Sequence, residues 1–373
     1  MSYGTVQAEK MTTESGYSLG AGNASSFKNR IINGGMVIDQ RNNGASVTAN
    51  DGTYALDRTY FNMQTNSKGT GQRSSDAPAG FKNSLIYTNG SAYTVGANET
   101  YGIIQRIEGY NIADLAWGTA SAKSVTLSFW VKSSLTGTFG GALKTATGTA
   151  YTYAFTYTIN AASTWEFKSI TIPGPTVGTW DSTNGTGVTV ALGLGNGANT
   201  SISPNSWTAG NVWSATGAVS VLATASATWQ ITGLQFEVGD VATSFDFRSY
   251  GTELALCQRY CFTIRGNSDY SNGFSRYLGL GNGTNQFLFM PQYPVMMRTP
   301  PTLITSNFTA GNLDLYNYAT AGALTFSSLS LGEGDVVHGQ VTILTTSGVS
   351  TGQNCSWRWN GNPNAYIGFS AEL

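Results

Sequence analysis

Four tryptophans, Trp117, Trp180, Trp207 and Trp213, fall outside the clear strand alternation of this 373-residue chain. Stretches of that kind read as loops, where binding side chains collect. An indole offers a flat apolar face on which the C–H groups of a sugar ring stack, while nearby Asn, Asp and Gln bind hydroxyls. The four are therefore the candidates for holding a glycan. For each of them, packing beneath a loop is the competing reading. Trp130, Trp165 and Trp229 lie in strands and read as packing residues. Trp357 and Trp359 share a strand face near the C-terminal end, and are candidates for a subunit interface, which favours aromatic side chains.

Bond-breaking chemistry finds less to work with. There is one histidine, His338, and a Ser-His-Asp or Cys-His site would have to use it. It alternates with Gln340 and Thr342, which reads as a solvated face, and no nucleophile elbow surrounds it. Paired carboxylates about 5–9.5 Å apart hydrolyse glycosidic bonds. Asp114, Glu166, Glu237 and Asp246 are explained as well by caps, turns and salt bridges, so no catalytic residue is assigned and the chain reads as no enzyme. The three cysteines, Cys257, Cys261 and Cys355, make no disulfide framework and read as small buried hydrophobes. Metal motifs combine several His or Cys, and no EF-hand loop is present, so no metal ligand is assigned. LGLGNG occurs twice, at residues 192–197 and 278–283. A phosphate loop needs a helix after it; none follows, and both copies read as hairpin turns.

The elements that must position these residues read as strands. Val125, Leu127, Phe129 and Val131 alternate with polar neighbours. Tyr151, Tyr153, Phe155, Tyr157 and Ile159 fall on one side of another strand. Asn33-Gly34, Asn43-Gly44, Asn89-Gly90, Asn184-Gly185 and Asn196-Gly197 are turn dipeptides, since both residues tolerate positive φ. Trp229 and Ile231 alternate in one register, and Leu234, Phe236 and Val238 in the other. A slip at Gly233 predicts a β-bulge. After Gly251 the spacing of Leu254, Cys257 and Cys261 predicts a brief helix, with Thr252 as its N-cap. Val337, Val341 and Ile343 share a face further on.

Composition bounds the class. Charged residues are 10% of the chain, against about 25% in ordinary globular domains. Hydrophobic residues are 40% and aromatic ones 12%, so core formers are ample. With 46 glycines, the mix suits short strands joined by tight turns. The formal net charge is −1 with no basic cluster, which speaks against nucleic acid. No apolar run reaches the roughly 18 residues of a membrane span, and the first residues carry no apolar signal-peptide core.

Three stretches carry a resemblance. Residues 236–260, FEVGDVATSFDFRSYGTELALCQRY, resemble a sequence that recurs in tail-fibre and other virion structural proteins of bacteriophages. Residues 29–40, NRIINGGMVIDQ, and 365–373, AYIGFSAEL, resemble the opening and the end of the same group. The order of strands from 105 to 238 resembles the jelly roll of carbohydrate-binding modules. The expectation is an all-β chain. It comprises an arm anchoring to other virion proteins (1–28), a jelly-roll-like β-sandwich (29–250), a short linking helix (251–261) and a second, sandwich-like β domain (262–373). The resemblance implies a tail fibre or related appendage, homotrimeric, assembled in the host cytoplasm and carried on the virion. It would attach the particle to a host surface glycan without catalysis. No cofactor is expected, although jelly rolls leave room for a structural calcium ion. The alternatives are a purely structural virion component, such as a capsid decoration or tail-assembly protein, and a polysaccharide depolymerase.

Overall fold

The structure is a computed structural model, and it describes residues 10–12, 18–20, 28–145, 150–265, 278–304, 313–324, 326–345, 348–359 and 366–373. The expected anchoring arm lies outside the described residues, apart from Lys28 and two short strands. The chain divides into two compact units, Met1–Glu253 with Leu373, and Leu254–Glu372.

In the first unit, β1 (Lys10–Thr12) pairs with β2 (Ser18–Gly20). The sandwich begins with β3 (Val47–Thr48), β4 (Tyr54–Leu56), β5 (Thr59–Met63), β6 (Gly69–Ser74), β7 (Ser84–Asn89) and β8 (Thr100–Glu108). It continues with β9 (Val125–Ser133), β10 (Gly137–Lys144), β11 (Tyr151–Ile159), β12 (Glu166–Ile172) and β13 (Thr186–Asn196). Short strands β14 (Ser201–Ile202), β15 (Trp207–Ala209) and β16 (Ser214–Ala215) precede the long closing strand β17 (Thr228–Val238). One sheet has seven strands in the order β15-β11-β10-β13-β8-β5-β4, and the other six in the order β12-β9-β17-β7-β6-β3. The chain crosses repeatedly between the sheets, including at β3–β4, β5–β6, β7–β8, β8–β9, β9–β10, β11–β12 and β12–β13, which makes a jelly-roll β-sandwich.

Period-2 alternation explains the core. Val125, Leu127, Phe129 and Val131 point inward from β9 and are fully buried; Tyr153, Phe155, Tyr157 and Ile159 meet them from β11. In β17 the inward set runs Trp229 and Ile231, then Leu234 and Phe236. The register against β9 shifts between Thr232 and Gln235, with Gly233 at φ 63°. The predicted bulge is there, and it returns the apolar face inward after the slip. A Cβ on Gly233 would lie 2.7 Å from the Phe81 ring, so the site needs glycine twice over. Asn33 and the Asn43-Gly44 pair take positive φ as expected. Asn89-Gly90, Asn184-Gly185 and Asn196-Gly197 do not: Asn89 and Asn196 end strands β7 and β13, and Asn184-Gly185 bends without positive φ. The first LGLGNG copy is no hairpin turn. Residues 192–196 complete the buried strand β13, and a 3-10 turn over Ala198–Thr200 follows.

Two of the stretches that carry the virion-protein resemblance meet in this unit. Residues 29–34 run beside the bulge of β17. Arg30 N donates to Phe236 O at 2.9 Å, and Leu234 N to Gly34 O at 3.0 Å. Buried Asn29 accepts from Phe236 N and donates to Leu234 O. Arg248, its side chain 5% exposed, lies between Asp246 and Glu253 and donates to the carbonyls of Ile31 and Asn29. The Glu253 carboxylate in turn accepts the N–H of Asn33.

The short helix α1 spans Tyr250–Gln258, and the division between the units falls within it. Its cap is Ser249 and not Thr252. The Ser249 hydroxyl accepts the Thr252 N–H at 3.4 Å and touches the Thr252 hydroxyl at 2.8 Å. A serine three places before a threonine lets Thr252 sit at N3, inside the first turn. The helix also ends sooner than the expected 261, because Cys261 already pairs in a strand. Ser249→Ala should lower stability by about 1 kcal/mol, read as a shift in urea midpoint at unchanged slope.

The second unit contains β18 (Cys261–Arg265), β19 (Leu278–Gly281), β20 (Gln286–Phe289), β21 (Thr302–Ile304) and β22 (Leu313–Asn317). It is completed by β23 (Gly322–Leu324), β24 (Phe326–Gly334), β25 (Gly339–Thr345), β26 (Asn354–Trp359) and β27 (Tyr366–Ser370). A three-stranded sheet, β18-β27-β21, and a seven-stranded one, β23-β22-β26-β19-β20-β25-β24, share one core. Ile264, Ile367 and Phe369 from the first sheet pack with Phe287, Phe289, Val341 and Ile343 from the second. Val337 does not join Val341 and Ile343. It is 50% exposed in a turn before β25, where Asp335 accepts its N–H. The second LGLGNG copy is the expected hairpin, with Asn282 and Gly283 after β19 and the Asn282 N–H donating to Gln286 O. All three cysteines are buried, and no disulfide joins them. Trp357 and Trp359 end β26, but their side chains lie outside the described residues.

Candidate binding site

Three of the four candidate tryptophans come together, though not on open loops. The rings of Trp117, Trp180 and Trp207 meet edge to face, with centroids 4.7, 5.7 and 5.3 Å apart. Trp117 is only 7% exposed and belongs to the sandwich core, against Phe236. Trp180 and Trp207 are half-buried over it, and Trp207 stands on edge strand β15, opposite Tyr153. Each indole N–H is bonded inward: Trp117 to Lys123 O, Trp180 to Val177 O and Trp207 to Pro173 O, at 2.8, 3.2 and 2.7 Å. Buried indoles need such partners. Trp117 stands in a turn, as expected of a loop residue, but it packs beneath that turn and plugs one edge of the sandwich.

Trp213 stands apart, on the outer face of the seven-stranded sheet, and its surroundings follow from strand register. Lys144 on β10 pairs with Thr189 on β13, and Thr189 pairs with Arg106 on β8. Lys144 also pairs with Thr152 on β11. Residues paired across a sheet share a face. One outward row therefore reads Thr152, Lys144, Thr189, Arg106, with the two cations two strands, roughly 10 Å, apart at Cα. The adjacent row is Ala142, Ala191, Ile104 and Tyr60. Its two alanines are small, and Trp213 packs against this apolar patch.

The result is a cavity of about 330 Å³ lined by Arg106, Lys144, Thr145, Thr189, Asn211 and Trp213, with Ala150 at its rim. Lys144 is 5% exposed. Its Nζ lies 3.5 Å from the Trp213 ring centroid and donates to Asn211 Oδ1. The Arg106 guanidinium sits 5.2 Å from the Tyr60 ring centroid and donates to the main-chain oxygen of Leu373. Burial, and then the charge of Arg106, pull Lys144 down to about 8. Sequence reading singled out Trp213 among the residues lining this cavity and did not single out Lys144 or Arg106. Alternation along each strand places both on the outer face, but only the order of strands makes them neighbours.

The outer face of the six-stranded sheet also carries aromatic residues. Trp130 and Phe167 are paired across β9 and β12, with ring centroids 5.6 Å apart. Trp165 donates to Asp76 at 3.1 Å, and Lys132 pairs with the same carboxylate. Much of this face is covered by the chain itself. Gly239 O accepts from Thr126, Asp246 N donates to Gln235, and Phe245 and Phe247 close over Phe81.

The carboxylates considered for hydrolysis are engaged in structural contacts. Asp114 holds Arg30 through two 2.7 Å bonds. Burial works to raise Glu166, but Lys168 and the N–H groups of Ala161 and Asn160 outweigh it and hold the carboxyl at about 2. Glu237, 2% exposed, accepts from Gln235 and from the N–H and hydroxyl of Thr243. Asp246 accepts the Asn29 N–H. His338 is solvated as expected, its side chain 60% exposed, with Nδ1 2.7 Å from Asp335. They edge a depression of about 280 Å³ with Met290, Glu333 and Gln340. No Ser, Thr or Cys is among the described residues lining it.

No family model matches the sequence, and no curated protein does. Among solved structures, the chain is similar to the enzymatically active domain of tailspike protein 4 of bacteriophage CBA120. Identity there is 12%, over 58% of this chain and 22% of that one, with a TM-score of 0.32. The chain thus spans about a fifth of that protein. It is also similar to a putative sugar binding protein from Bacteroides thetaiotaomicron, at 12% identity over 57% and 100% of the two chains, TM-score 0.34. A third is a family 11 carbohydrate-binding module from Clostridium thermocellum, at 13% identity over 53% and 97%, TM-score 0.25. Likenesses at these scores carry no argument about a ligand.

Proposed function

We propose that the protein is a glycan-binding component of a phage appendage, a tail fibre or a relative of one, that attaches the particle to its host without breaking bonds. The observation that carries the glycan reading is the pocket beside Trp213. It combines one aromatic wall, an amide, two hydroxyl side chains and two cations in a concave site near the small end of the usual range, about 300–1,000 Å³. The three stretches that resemble virion proteins support the phage assignment. A homotrimer would supply several weak sites at once, and avidity would make the attachment tight.

The test uses labelled full-length protein and cells of the host. The protein should pellet with the cells saturably, and soluble surface polysaccharide should compete it away. Trp213→Ala should weaken retention at least tenfold, while Trp130→Ala on the other sheet leaves it unchanged. A folded protein in its virion oligomeric state that does not pellet with host cells would overturn the reading in favour of a purely structural virion component. Release of reducing ends from the polysaccharide would overturn the non-catalytic part.

A further inference from the structure

The pocket beside Trp213 carries more positive charge than a neutral sugar needs. Lys144 and Arg106 line it from strands on either side of Thr189. Lys144 has no acidic side-chain partner among the described residues, whereas Arg106 meets the terminal main-chain oxygen of Leu373, so Lys144 is the less compensated of the two. Lys144 is held by Asn211 Oδ1 and the Trp213 ring, and Arg106 by the Tyr60 ring and the Leu373 main-chain oxygen. Two other buried cations do have carboxylate partners, Arg41 with Asp57 and Arg248 with Glu253. Burying an ammonium group beside a second cation costs free energy that a bound anion would offset. In a chain with only 10% charged residues, two cations converging on one cavity is a specific arrangement.

Building on the glycan reading above, we infer that this pocket takes one anionic sugar residue of a host polysaccharide. Its carboxylate or sulfate lies between Lys144 and Arg106, and its ring lies against Trp213. The parts have separate roles. The guanidinium offers parallel N–H donors that match a planar carboxylate. The ammonium group adds a point charge where water is scarce, so its attraction is stronger than on an open surface. Asn211, Thr145 and Thr189 stand where ring hydroxyls would need partners. The small side chains of Ala142 and Ala191 seat the Trp213 ring against the sheet. About 330 Å³ holds one ring and not a long stretch of chain.

The experiment displays acidic glycans, uronate-bearing and sulfated, beside carboxyl-reduced or desulfated twins of each, and applies the full-length protein and its variants. Wild type should prefer the acidic member of a pair at least tenfold, and the uronate and sulfate arms tell the two sources of charge apart. Lys144→Gln should lose about ten- to a hundredfold on acidic glycans and little on neutral ones. Trp213→Ala should lose affinity for both. A thermal midpoint for Lys144→Gln close to wild type excludes a folding defect. A pH series adds a readout that a structural role would not move. Affinity for a uronate should be level below pH 7 and fall as pH rises through about 8, where Lys144 gives up its proton while the carboxylate stays ionised. Arg106, the other ionisable group lining the pocket, stays charged throughout. Lys144→Gln should flatten that profile. Glycan binding that ignores the acidic group, or that Lys144→Gln leaves intact on uronates and sulfates, overturns this inference and leaves the glycan reading standing. Binding to no glycan and to no host cell overturns both.

Discussion

Asn33→Ala is expected to lower the thermal midpoint of the first unit by about 10 °C or more. Asn33 is fully buried, and its side chain closes a loop otherwise without a ladder. Its Nδ2 donates to Ile38 O at 2.8 Å and to Asp57 O at 3.0 Å, and its Oδ1 accepts from Val37 N and Ile38 N at 3.0 and 2.9 Å. Alanine removes all four partners and leaves buried backbone groups unpaired, at about 1–3 kcal/mol for each that finds no water. It must also hold φ 63°, which costs a residue with a Cβ about 1 kcal/mol or more, and which asparagine tolerates best after glycine. Even partial relaxation leaves about 4 kcal/mol, and a unit of this size loses about 2–4 °C per kcal/mol. Seven of the nine tryptophans fall before residue 254, so indole emission follows this unit. Asn33→Gly separates the two causes, since it relieves φ and restores no hydrogen bond. A loss below about 1 kcal/mol for Asn33→Ala would show that the side chain is not the clasp described above.

Arg248→Leu should cost about 3–5 kcal/mol, because it strips the partner from two carboxylates that stay enclosed. The side chains of Asp246 and Glu253 are each 11% exposed, and the guanidinium also serves the carbonyls of Ile31 and Asn29. Lysine should not rescue the site, since a single ammonium group cannot reach both acids and both carbonyls as the planar fork does. Adding Glu253→Gln to Arg248→Leu should recover part of the loss, by removing one stranded charge and keeping an acceptor for the Asn33 N–H. Urea unfolding followed by indole emission measures each step, and an unchanged slope would show that the native state alone is affected. If the double variant were no more stable than Arg248→Leu, the stranded charge would not be the cause.

Residues 29–34 and 246–253 are far apart in the chain, yet one network of Asn29, Asn33, Arg248 and Glu253 joins them around the bulge at Gly233. Residues 29–40 and 236–260 include this structural clasp, and the residues lining the Trp213 pocket lie outside both.

The amino-acid sequence alone determined what depends on neighbours along the chain. The inward faces of β9, β11 and β17, the bulge at Gly233 and the solvated His338 all follow from alternation or local composition. A strand's side chains point to fixed sides whatever lies next to it. The short helix was legible too, but its ends were not: Thr252 was read as its cap, while it is the Ser249 hydroxyl that meets an N–H. Only the tertiary structure decided which outward residues meet. Trp117, Trp180 and Trp207 looked alike as isolated loop residues, and folding buried one of them and stacked the others on it. Nothing in the sequence singled out Lys144 and Arg106, and the pairing of both strands with β13 set them on either side of Thr189. Alternation tells which face a residue takes, while the hydrogen-bonded order of strands tells what stands beside it. A binding pocket is made of the second kind of information.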